Sequence, residues 1–147
     1  MKLHQISLFL ENHPGAIKAP CRLLAEAGIN VLTLNLADTA EYGILRLIVK
    51  DWEAARKVLT DGGCVVNVAE VIAIDVPDRP GGLADVLDVL DRENLGIAYM
   101  YAFTHGWQNK HAAMIFRFEE PDRAVEALAR HRISAIRSVD LFSRANA

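Results

Sequence analysis

One repeat limits what this chain can fold into. The segment Glu11-Asn12-His13-Pro14-Gly15-Ala16 returns 66 positions later as Pro77-Asp78-Arg79-Pro80-Gly81-Gly82. A Pro-Gly turn alone recurs by chance, but here both flanks repeat as well. Before each turn lies an apolar run, Leu3 to Leu10 and Glu70 to Val76, that reads as a strand closed by turn chemistry. After each turn, apolar residues recur at helical spacing: Ile17, Pro20, Cys21 and Leu24 in the first copy, Leu83, Val86, Leu87 and Leu90 in the second. Pro20 has no amide to bond back along the helix, which predicts a first helix that begins late or kinks there.

The rest of each copy follows the same plan. Two apolar runs, Asn30 to Leu36 with Gly43 to Val49, and Ile97 to Phe103 with Ala112 to Phe118, read as hairpin-like strand pairs. A second helix follows in each, capped by Asp51 before Trp52 in the first copy and opened by Pro121 in the second. Gly62-Gly63 stops the first of these. Short closing strands are expected at Cys64 to Asn67 and Ser134 to Ser138. The predicted class is α+β: two ferredoxin-like βαββαβ units, residues 1–69 and 70–147, each an antiparallel four-stranded sheet with two helices on one face. No Pro-, Gly- or Ser-rich linker divides them, and a break is expected near Ala69 in CVVNVAEVIAIDV, so two packed domains are anticipated.

Composition narrows the function. With 52% apolar and 24% charged residues the chain can bury a core. Sixteen Lys and Arg against nineteen Asp and Glu give a net charge of -3, the wrong balance for a phosphate-backbone binder, so nucleic acid is not an expected partner. Cys21 and Cys64 stand far apart without a C-x-x-C pair or a neighbouring histidine. They read as two buried thiols in a reducing compartment, with no metal site and no cofactor. The N-terminal stretch is too short and polar for a signal sequence, and no later run approaches the roughly 18 apolar residues of a membrane span. A cytoplasmic protein with no membrane partner is expected.

Catalysis finds little support. Cys21 falls on the buried stripe of a helix, where a thiol is inert, and His4, His13, His105, His111 and His131 are scattered. No catalytic residue is assigned. An RNA-recognition domain shares the element order, and Phe116-Arg117-Phe118 faintly matches its stacking aromatics, but the basic glycine-aromatic signature is missing and the charge is acidic. A metal carrier would need a cysteine pair in the first loop, and an acylphosphatase-like hydrolase more than the lone Arg79.

The turns NHPGA and DRPGGL, followed by LAEAGINV and LDRENLGIAYMY, make nearly the whole chain resemble a tandem pair of ACT domains. The resemblance implies a non-catalytic regulatory module whose ligand, an amino acid or related small molecule, sits at the first strand-to-helix turn and a domain interface. It also implies a homodimer and a separate metabolic enzyme as the regulated partner; the alternative is an oligomerisation or protein-partner module without ligand. A glycine turn before a helix offers backbone amides to a carboxylate, here those of Gly15, Ala16, Gly81, Gly82 and Leu83. Asn12 and Asn30 match the asparagines that ligand-binding members carry, and an amide can both donate and accept toward a zwitterion. Asp78 stands at the place of Asn12 in the second copy, where it would repel a carboxylate, so the first copy is the better suited. His13 and Arg79 would line the rim. Capping alone would also explain Asn12 and Asp78. Tyr99, Tyr101, Phe103, Phe116 and Phe118 read as core or interface before ligand-stacking residues.

Overall fold

A computed structural model describes residues 1–38, 41–103 and 110–145. His105 lies outside the described residues. The chain forms two compact units, one of His4–Ala69 and one of Glu70–Ala147 together with Met1–Leu3.

In the first unit the elements are β1 (Leu3–Glu11), α1 (Lys18–Glu26), β2 (Val31–Asp38), β3 (Tyr42–Val49) and α2 (Trp52–Asp61), followed by the start of β4 (Val65–Pro77). Strands order as β2-β3-β1-β4, and β3 pairs antiparallel with both neighbours, Ile6 facing Leu47 and Leu34 facing the same residue. Alternation along β1 sends Ile6 and Leu8 to the helix side, where they pack with Leu24, Leu45, Leu47, Ala55 and Leu59. The helix α1 begins only at Lys18 and places the buried Pro20 in its first turn. There a missing amide costs nothing, because the first helical amides have no partner within the helix. Asp51 accepts a hydrogen bond from the Ala54 amide at 3.0 Å and caps α2. Gly63 ends it at φ +88°, a conformation that suits glycine.

The second unit continues β4 and adds α3 (Gly82–Arg92), β5 (Ile97–Phe103), β6 (His111–Phe118), α4 (Pro121–Arg130), β7 (Ala135–Ile136) and α5 (Ser138–Ala145). Strands order as β5-β6-β4 with β7 also on β4. Ile72, Ile74 and Val76 from β4 and Met114, Phe116 and Phe118 from β6 pack with Val86, Leu90, Ala124 and Leu128 of the two covering helices. Pro121 opens α4 as its first residue.

Four expectations need correction. The break near Ala69 does not occur. Residues 65–77 form a single strand, since its β-branched run has neither Gly nor Pro before Pro77 to stop it. Because β4 serves both units, the hydrogen-bonded order is one series, β2-β3-β1-β4-β6-β5, and not two separate four-stranded sheets. The closing strand expected over 134–138 shrinks to Ala135–Ile136 and gives way to a fifth helix. Its first turn is held by Arg137, whose guanidinium bonds both Asp140 oxygens at 2.8 and 3.2 Å. The two cysteines are free but half-buried, and burial pushes the Cys64 thiol above its usual range. The aromatic set also divides. Phe116 and Phe118 stack at 5.6 Å in the helix-side core, while Tyr101 and Phe103, opposite Ile115 and Ala113, are buried on the other face of the sheet.

Candidate functional site

The two Pro-Gly turns share sequence but differ in what surrounds them. In the first, the Ala16 amide bonds the His13 carbonyl at 3.2 Å and Gly15 takes φ +87°. The His13 ring nitrogen Nδ1 lies 3.0 Å from the Pro14 carbonyl oxygen, and Nε2 lies 3.7 Å from Glu11. Asn12 caps nothing: its side-chain amide donates to Asp38 at 3.2 Å, and α1 starts without a side-chain cap. Asp38 ends β2, whereas Asn30 precedes its first residue. Eight residues of extended chain separate the two ends by roughly 25 Å, so within this unit Asn12 and Asn30 do not meet.

The second turn is tighter and better built. The Gly82 amide bonds the Arg79 carbonyl at 3.0 Å, and the Asp85 amide bonds Gly81 at 2.9 Å. Gly81 sits at φ +84°. Gly82 is buried, and a Cβ there would come within 2.0 Å of the Pro77 carbonyl oxygen, so only glycine fits. The helix α3 therefore starts two places earlier in the repeat than α1. Arg79 pairs with Asp85 at 2.6 Å and donates to the Pro80 carbonyl at 3.1 Å.

Beside this turn opens a cleft of about 370 Å³ lined by Asp75, Pro77, Arg79, Gly82, Asp85, Val86, Val89, His111, Arg132, Ile133 and Ser134. Three elements converge there because of strand register. Pro77 faces His111 across β4 and β6, and the Asp75 amide bonds the Ser134 carbonyl at 2.9 Å, drawing in the loop before β7. The Arg132 backbone, at φ +54°, closes α4 and turns the chain toward that strand. His111 Nδ1 lies 3.2 Å from the Asp75 carboxylate. It is out of line for a hydrogen bond, and this buried nitrogen has no hydrogen-bond partner among the described residues.

Of the sequence candidates, Arg79 and Gly82 line this cleft, and Gly81 is not among its lining residues. Leu83 packs against the core, and Asp78 is exposed and outside the lining. Asp75, His111, Arg132 and Ile133 were not singled out as site residues, and no local motif marks them. Among the described residues no group of three or more His, Cys, Asp or Glu could hold a metal ion, and no helix is long and apolar enough to cross a membrane.

Residues 1–144 match the family model for an ACT domain pair. The chain is similar to the crystal structure of protein BT0572 from Bacteroides thetaiotaomicron, with 37% identity over 97% of this chain and 96% of that one, at a TM-score of 0.89. The regulatory subunit of aspartate kinase from Thermus thermophilus, in its ligand-free form, shares the fold at 17% identity, covering 86% of this chain and 91% of that one, with a TM-score of 0.61. The corresponding subunit from Thermus flavus is similar at 16% identity over 86% and 90% of the two chains, with a TM-score of 0.58. No curated protein matches the chain.

Proposed function

Since the chain belongs to the ACT domain pair family, we propose that this non-catalytic regulatory protein binds a small ligand, an amino acid, at a strand-to-helix turn and reports it to a separate metabolic enzyme in the cytoplasm. The family match covers residues 1–144. The first ACT domain is taken to end near Ala69 and the second to begin at Glu70.

The observation that carries the ligand reading is the second turn. Arg79, on this turn, stands in a cleft that also offers a carboxylate, an imidazole and a second guanidinium. Sites of this size, mostly apolar with a few convergent polar groups, are typical of small-ligand binding. In the first copy the Asn12 amide is already engaged with Asp38, which moves the weight of the proposal to the second.

A second reading, pairing between copies of the chain, draws on β2. It ends the strand series and exposes Leu34 and Leu36 at 51% and 47%. An apolar edge strand invites a further strand, and a homodimer would cover it. Thermal-shift screening against the twenty L-amino acids, with light scattering on the same samples, separates the two readings. A ligand present at 100 times its Kd should add about 2.7 kcal/mol. A dimer that no amino acid stabilises would leave only the pairing reading.

A further inference from the structure

We propose that Glu93, which lies outside the cleft of the second unit, is the clasp that sets the spacing of the cleft's two walls by tying the end of α3 to the end of α4. This role belongs to the framework of the cleft and does not depend on what occupies it.

The two walls come from different parts of the chain. One is α3, through Gly82, Val86 and Val89, and the other is the turn after α4, through Arg132 and Ile133. Glu93 caps α3 at its C-terminal end. It follows Val89 by four positions and Val86 by seven, so the three positions share one face of the helix. On the other wall, Arg132 comes directly after His131, the C-terminal cap of α4. Three side chains from α4 and its cap converge on Glu93. The His131 ring donates from Nε2 at 2.6 Å and Arg130 donates at 2.7 Å, each to its own carboxylate oxygen. Arg123 donates to the Glu93 carbonyl at 2.6 Å. The walls are therefore tied together beyond Val89, at the end of α3 away from Gly82.

An isolated surface ion pair contributes little, because water screens it and two long side chains lose their freedom. Glu93 differs on both counts. Its side chain is only 23% exposed, and a single carboxylate is immobilised for two charge-assisted bonds. Those bonds, the one from His131 first and the one from Arg130 next, hold its carboxyl below the ordinary value of 4.5. The wall beyond His131 is tethered in turn by short backbone bonds. The Arg132 amide bonds the Ala129 carbonyl at 3.2 Å, the Ile133 amide bonds Leu128 at 3.0 Å, and the Asp75 amide bonds Ser134 at 2.9 Å. So few residues separate these bonds from His131 that a displacement of the cap reaches all three.

The test is amide hydrogen exchange of the full chain, resolved by NMR, in three variants. Glu93→Ala removes both carboxylate bonds, and Glu93→Gln keeps an acceptor of the same size without the charge. Arg130→Gln changes a side chain that is 55% exposed, so it tests the clasp without endangering the fold. Glu93→Ala should speed exchange of the Arg132, Ile133 and Asp75 amides about tenfold, and the other two variants about threefold. The methyl resonances of Val86 and Val89 should move with them, while the slowest amides of β6 change by a smaller factor. A rise confined to Asn94 and Leu95 would make Glu93 a helix cap and no more, and would overturn the clasp. An equal rise at the wall and in β6 would overturn it too, as a general loss of stability. Wild-type rates at the wall in Arg130→Gln would do the same even where Glu93→Ala fails to fold.

Discussion

Gly82 is the residue whose identity the second turn least tolerates changing. Any side chain there would drive a Cβ into the Pro77 carbonyl, a backbone atom that cannot swing aside as a flexible side chain can. Gly82→Ala should cost about 3 kcal/mol, the upper end for an overpacked position. Gly15→Ala should cost only about 1 kcal/mol, since nothing lies within 4 Å and the penalty is that of a left-handed φ alone. Urea unfolding of both variants checks the difference, and equal losses would refute it. Glu93 makes a second prediction. The His131 ring and Arg130, at 2.6 and 2.7 Å, hold its carboxyl below the ordinary value of 4.5. A depressed folded value means the pair contributes stability above pH 4.5 that is lost as the pH falls through the folded value. Glu93→Gln should thus flatten the acid side of the stability profile below that pH, as read by urea unfolding across that range, and an unchanged acid limb would refute it. At this scale the sequence marked Arg79 and Gly82 because they sit in a recognisable turn. Asp75, His111 and Arg132 escaped because their meeting depends on strand register and on one backbone hydrogen bond, neither of which leaves a local pattern.

Elements were more legible than sites. Helices α1 to α4 and strands β1 to β3, β5 and β6 follow from apolar spacing and turn residues, since a buried face imposes its period on the sequence over many residues. Capping was legible for the same local reason. Asp51→Ala should destabilise the first unit by about 1 kcal/mol through loss of the bond to the Ala54 amide, and Asp51→Ser should restore most of it. Failure of serine to rescue would mean that Asp51 acts by some other contact. The misreadings occurred where the assumed plan of the repeat outweighed local chemistry. A break was expected at Ala69 because each copy needed its own last and first strand, yet no breaker stands there. A closing strand was expected over 134–138 although Ser138-Val139-Asp140 is a helix start, with Asp140 in the first turn and Arg144 in the last.

At the scale of the whole chain, β4 joins the two units as a single strand of thirteen residues, and this has a consequence for a regulatory protein. Its C-terminal part carries Asp75 and Pro77 into the cleft, while its N-terminal part belongs to the first unit. A ligand that stabilises the cleft opposes every opening motion that unzips β4 from that end. A strand freed at one end frays along its length unless something interrupts it, and no Gly or Pro stands between Val65 and Val76. Ligand at 100 times its Kd should therefore slow amide exchange roughly a hundredfold in Ile72 to Val76, with a smaller but measurable gain continuing past Ala69 to Val66. Protection that rises only beyond Glu70 would show that the two units respond independently. In that case a signal from the second copy would have to reach an enzyme through a surface of that copy alone, and the shared strand would be architecture without a part in regulation.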